Sequence, residues 1–64
     1  MKDYRFHIYL TLNGETIGMF HSVFAKSYQE AYRSLLAEIP HNFSCDSFSV
    51  NPRYRVNGKI RTAK

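Results

Sequence analysis

Tyr4-Arg5-Phe6-His7-Ile8-Tyr9-Leu10-Thr11-Leu12-Asn13-Gly14 is the stretch that decides the fold. Its even positions are Tyr, Phe, Ile, Leu and Leu; its odd positions are Arg, His, Tyr and Thr. Period two marks a strand buried on one face only. Asn13-Gly14 follows at once. Both central residues of a type I′ turn need positive φ, and Asn-Gly tolerates this best. Thr16 to Ala25, rich in β-branched and aromatic residues, supplies the returning strand. The pattern predicts a β-hairpin from Tyr4 to Ala25.

A two-residue turn fixes the register. Leu12 then faces Glu15, Leu10 faces Ile17, Ile8 faces Met19, Phe6 faces His21 and Tyr4 faces Val23. These pairs make one almost wholly apolar face, expected to be the core. The opposite face pairs Thr11 with Thr16, Tyr9 with Gly18, His7 with Phe20 and Arg5 with Ser22, with Phe24 beyond. It sets aromatic rings beside basic groups, unlike an ordinary solvated surface. Gly18 opposite Tyr9 leaves room for the tyrosine ring to lie flat.

Beyond the hairpin, Ser27-Tyr28-Gln29-Glu30 reads as a capping box. A helix is expected from Tyr28 to about Ile39, with Tyr28, Ala31, Tyr32, Leu35, Leu36 and Ile39 in one apolar stripe. Gln29, Glu30, Arg33, Ala37 and Glu38 face away, and Pro40 is expected to stop the helix. After a polar link, Ser47 to Val56 alternates again. Phe48, Val50, Pro52, Tyr54 and Val56 take one face; Ser47, Ser49, Asn51, Arg53 and Arg55 take the other. Pro52 cannot donate to a ladder, which places it at a sheet edge or a bulge. Asn57-Gly58 is a second type I′ signal, so Lys59 to Thr62 reads as a short fourth strand or, alternatively, as an unordered tail.

The fold class that follows is α+β. It is a small ββαβ(β) domain whose antiparallel sheet of three or four strands has one helix on one face. A right-handed crossover gives strand order 2-1-3, with the fourth strand outside the third. Residues 1–56 form the domain and residues 57–64 a basic hairpin or tail. The order turns Arg53 and Arg55 toward Arg5, His7, Tyr9, Phe20 and Phe24 on the open face.

Sixty-four residues make one domain. A chain this short buries only about 60% of its unfolded surface, so a stability of a few kcal/mol is expected. Ten Tyr and Phe residues are more than a minimal core requires. The single cysteine, Cys45, excludes an internal disulfide. No apolar run approaches the roughly 20 residues of a membrane helix. The N-terminal residues lack a signal-peptide core, so a cytoplasmic location is expected, and Asn42-Phe43-Ser44 is then a chance glycosylation match. Residues 1–52 carry four basic and five acidic side chains, whereas residues 53–64 carry five basic ones and no acid. Such an end suits an acidic partner, or serves only as a solubilising tail.

Catalysis has little support. Cys45 with His41 or His21 lacks an orienting third group, the carboxylates are scattered, and no glycine loop is free to cradle a phosphate. His41 and Cys45 are four apart with no second pair, short of a structural zinc set. His21, on the core face, is expected to be half-buried and bonded to a neighbour. No enzyme, metal, cofactor, membrane or small-molecule substrate is therefore expected. The expected function is a non-enzymatic accessory or regulatory protein that docks to a protein partner, or to itself, through the open aromatic face. The alternative is a nucleic-acid-binding module, with the rings taking bases and a basic ribbon of Arg53, Arg55, Lys59 and Arg61 tracking the backbone.

Overall fold

The computed structural model describes residues 1–63. The elements run β1 (Lys2–Leu12), β2 (Glu15–Ala25), α1 (Tyr28–Asn42), β3 (Ser47–Val56) and β4 (Lys59–Thr62). They form one four-stranded sheet in the order β2-β1-β3-β4, and every neighbouring pair is antiparallel. Both Asn-Gly pairs sit in the left-handed region their turns require: Asn13 at φ 53° and Gly14 at 81°, Asn57 at 50° and Gly58 at 86°. The hairpin register is the one its turn dictates, from Leu12 opposite Glu15 to Tyr4 opposite Val23. Residues 59–62 form a strand, not a tail. Lys64 lies outside the described residues.

The core lies between α1 and the near half of the sheet. Tyr4, Phe6 and Ile8 of β1, Val23 and Ala25 of β2, and Ala31, Leu35 and Ile39 of α1 are its buried residues. Phe6 is fully enclosed. Its ring centroid lies 6.1 Å from that of Tyr28, 6.3 Å from Tyr32 and 5.8 Å from Tyr54. Tyr28 and Tyr54 approach to 4.5 Å. Burial within this cluster raises the Tyr28 hydroxyl above its ordinary 10.0, and the neighbouring hydroxyls of Tyr32 and Tyr54 push the same way. Much of the high aromatic content is thus spent on the core: Tyr4 and Phe6 are buried in it, and Tyr28, Tyr32, Phe43, Phe48 and Tyr54 pack against it.

Three expectations need correction. The apolar hairpin face is core only in part. Leu12 is 42% and Ile17 65% exposed, and Leu10 and Met19 are half-buried. The single helix covers the rows of Tyr4, Phe6 and Ile8, so the 11-residue strands run past it toward the turn. Likewise Leu36 is exposed, while Glu38, expected to face away, accepts a 2.8 Å hydrogen bond from His21 Nε2. Finally, the helix does not stop at Ile39 but continues through Pro40 to Asn42, where the Phe43 N–H bonds the Ile39 carbonyl at 2.9 Å. Proline removes one hydrogen bond from the last turn. Burial of Ile39 and packing of Phe43 against the core hold that turn in place. The start of the helix is as expected: Ser27 Oγ accepts the Glu30 N–H at 3.3 Å.

Pro52 sits in a bulge. Tyr54 lies opposite Phe6 and Val50 opposite Ile8, so Asn51-Pro52-Arg53 spans the place of His7 alone. Two extra residues leave the alternation unchanged. Phe48, Val50, Tyr54 and Val56 therefore all pack against the core, and Arg53 and Arg55 stay on the other side. Asn51 Oδ1 accepts the Arg53 N–H at 2.9 Å, and the Pro52 carbonyl accepts the Ala63 N–H at 2.7 Å. Among the described residues, no helix is long and apolar enough to cross a membrane.

Candidate functional site

The helix leaves one side of the sheet open, and cross-strand pairing decides what stands there. Directly opposed residues of an antiparallel pair share a face. One row runs Ser22, Arg5, Arg55, Ile60 across all four strands. Next to it, His7 is paired with Phe20 and Arg53 with Thr62. Arg5, His7, Phe20, Asn51, Arg53, Arg55 and Ile60 line a shallow cleft of about 180 Å³. The structure thus brings together Arg5, His7, Phe20, Arg53 and Arg55, as the alternation requires. Tyr9 borders this group through His7, and Phe24 stands further along β2, opposite Asp3.

The other two basic residues expected at this surface are elsewhere. Lys59 is paired with Val56 and Arg61 with Tyr54, so both belong to the helix side of the sheet, exposed at its edge. The reason is the second Asn-Gly turn, which fixes the register as firmly as the first. The same rule puts Ile60, 62% exposed, on the open face. The Asn-Gly turn and the alternation of β4 together give that placement from the sequence. The alternation of β3 already puts Asn51 on this face; its contact with the Tyr9 hydroxyl is what the sequence does not show.

The rings on this face form a connected stack. The His7 centroid is 4.6 Å from Tyr9 and 4.6 Å from Phe20, and the His7 and Phe20 planes are inclined by only 22°. Asn51 Nδ2 donates to the Tyr9 hydroxyl at 3.1 Å, and that hydroxyl lies 3.4 Å from His7 Nδ1. Gly18 makes the stack possible. A Cβ there would lie 3.1 Å from His7 Nε2 and 3.5 Å from the Tyr9 ring. Gly18→Ala is expected to tilt His7 away from Phe20 while leaving the fold intact, since alanine is no worse than glycine in a strand backbone. Proton chemical shifts of the His7 and Phe20 rings provide the check. Unchanged shifts would mean that the absent side chain plays no part in shaping the face.

Electrostatics on the face are one-sided. Arg5 and Arg55 stand directly opposite each other on β1 and β3, an arrangement that is destabilising for like charges. Among the described residues no arginine or lysine pairs with a carboxylate; the one contact of that kind is the hydrogen bond between His21 and Glu38, on the other side of the sheet. The nearest polar partners of the two arginines are neutral: Ser22 Oγ at 3.5 Å from Arg5 Nε, and the Gly58 carbonyl at 3.2 Å from an Arg55 terminal nitrogen. Asp3 is the one acid whose position falls on this face, and one of its carboxylate oxygens is buried without a partner among the described residues. At the far end of the molecule His41 is exposed and Cys45 half-buried. Among the described residues no three His, Cys, Asp or Glu side chains gather as metal ligands. No protein-family model, curated protein or solved structure matches the chain.

Proposed function

We propose that this protein is a non-enzymatic binding module of the cytoplasm whose working surface is the open sheet face, and that the face takes single-stranded nucleic acid. One observation carries the reading: three arginines without acidic partners among the described residues, two of them directly opposed, beside a ring stack whose outer member, Phe20, is exposed. A protein that keeps like charges opposed on one surface gains from an anion that settles between them. Phosphates meet that need, and Phe20, 64% exposed, offers a flat ring for an unstacked base. Unstacked bases are available in a single strand and not in a duplex.

A protein partner is the second reading, and the exposure of Phe24 (65%) and Ile60 (62%) favours it. Such a partner must be acidic. Self-association by stacking two open faces is disfavoured, because it would press two sets of Arg5, Arg53 and Arg55 together. Titration of labelled single and double strands at two salt concentrations separates the readings. About three phosphate contacts on a single strand predict a log–log salt slope near −2. Single strands should bind better than duplex. Absence of binding at low salt removes the nucleic-acid reading and leaves the acidic protein partner.

A further inference from the structure

The two edges of the sheet are treated differently. β4 is 4 residues long and carries Lys59 and Arg61, the usual means by which an edge is kept from pairing. β2 has 11 residues, no proline, no lysine or arginine, and no bulge against β1. Its only formally charged residue at neutral pH is Glu15, beside the turn. Such an edge is a template for another strand.

The hairpin turn says which backbone groups are free. In a two-residue hairpin the pair flanking the turn, Leu12 with Glu15, exchanges hydrogen bonds, and the bonded pairs then alternate. The N–H and C=O groups of Thr16, Gly18, Phe20, Ser22 and Phe24 therefore point outward from the sheet. The same parity is visible on β1, where the carbonyls of Asp3 and Thr11 point the other way and accept from Asn57 and Asp46 at 2.8 and 2.7 Å.

We propose that the β2 edge pairs antiparallel with β2 of a second copy about a two-fold axis, joining two sheets into one of eight strands. Coverage by the helix favours a copy of the same chain as the occupant. In each copy the helix buries Val23 and Ala25 at one end of β2 and leaves Ile17, 65% exposed, uncovered at the other. Antiparallel pairing sets the bare end of one strand beside the covered end of its mate, at both ends at once. Charge favours it too. In this arrangement the two Arg5 residues on β1 are three strand spacings apart, about 14 Å, and the β3 arginines five, about 24 Å, both beyond the screening length of roughly 8 Å at physiological salt. Every such register joins even residues to even residues. The open faces then lie side by side, with Phe20 and Phe24 of both copies meeting at the seam. The two-fold closes the assembly, since the β4 edges remain blunted.

The test is sedimentation equilibrium of the full chain without nucleic acid, with amide hydrogen exchange on the same sample. The expected result is twice the 7.5 kDa chain mass, with the amides of Gly18, Phe20 and Ser22 protected and that protection lost on dilution. Ser22→Pro removes one outward N–H at a position where an edge strand accepts proline; it should give the single-chain mass with the sheet retained. If that variant does not fold, the exchange of the unaltered chain still decides. A single-chain mass at the highest concentration, with those three amides exchanging as freely as loop amides, overturns the proposal.

Discussion

Arg53→Glu combined with Arg55→Glu is expected to abolish binding of single strands while leaving the protein as stable as before, or slightly more so. The two effects come from one geometry. Arg5, Arg53 and Arg55 supply the positive charge of the cleft, and the double change takes that sum from three positive to one negative. With two of the three proposed phosphate contacts removed, the salt slope should flatten from about −2 toward zero. The same change leaves Arg5 facing a carboxylate across the β1–β3 pair where it now faces the Arg55 guanidinium. Opposite charges directly across two strands are favourable by roughly 0.2–1 kcal/mol where like charges are unfavourable. Binding measured by anisotropy should fall below detection, and the thermal midpoint should hold or rise. A surface that loses function on a change that relieves its own repulsion is one kept for a partner. If binding persists with its salt slope unaltered, the contacts lie elsewhere, with Lys59 and Arg61 on the helix side the first residues to examine. If instead the variant unfolds, the arginines serve the fold.

Most of this architecture is legible in the chain because its two turns are so strongly marked. Asn13-Gly14 and Asn57-Gly58 each admit one register, and a register fixes every face in the strands it joins. That is why Arg5, His7, Phe20, Arg53 and Arg55 can be gathered on one side from alternation alone. The bulge at Asn51-Pro52-Arg53 is visible only as a proline that must be excused from the ladder. Its size of two extra residues, which preserves the alternation, depends on how β3 lies on β1. The extent of the core is likewise not local information. Leu12 and Ile17 have the same pattern as Phe6 and Ile8, and only the placement of the helix separates exposed from buried. The helix end is misread for a related reason: a proline's local cost is set against the burial of Ile39, which is a tertiary quantity.

Phe6→Ala is expected to unfold the protein, or nearly so, at concentrations where the unaltered chain is folded. Phe6 is fully buried and its ring is enclosed by Tyr4, Tyr28, Tyr32 and Tyr54. Removing a buried phenylalanine ring costs about 3–5 kcal/mol when the surroundings cannot collapse into the space. Tyr28, Tyr32 and Tyr54 are part-exposed and anchored on different elements, so collapse is limited. A domain of this length holds roughly 3–10 kcal/mol in all. The loss is therefore comparable with the whole, and the cooperative urea transition should shift to very low denaturant or vanish. Phe20→Ala is the control. That ring is 64% exposed and stacks on His7 alone among the aromatic residues, so the transition should move little, whatever happens to binding. The pair of variants tests the division of labour between the two faces of one sheet. Equal damage from both would mean that the open face is itself covered in solution. Concentration dependence adds a second reading: if two copies pair through β2, mass action should restore part of the Phe6→Ala transition as the protein is concentrated.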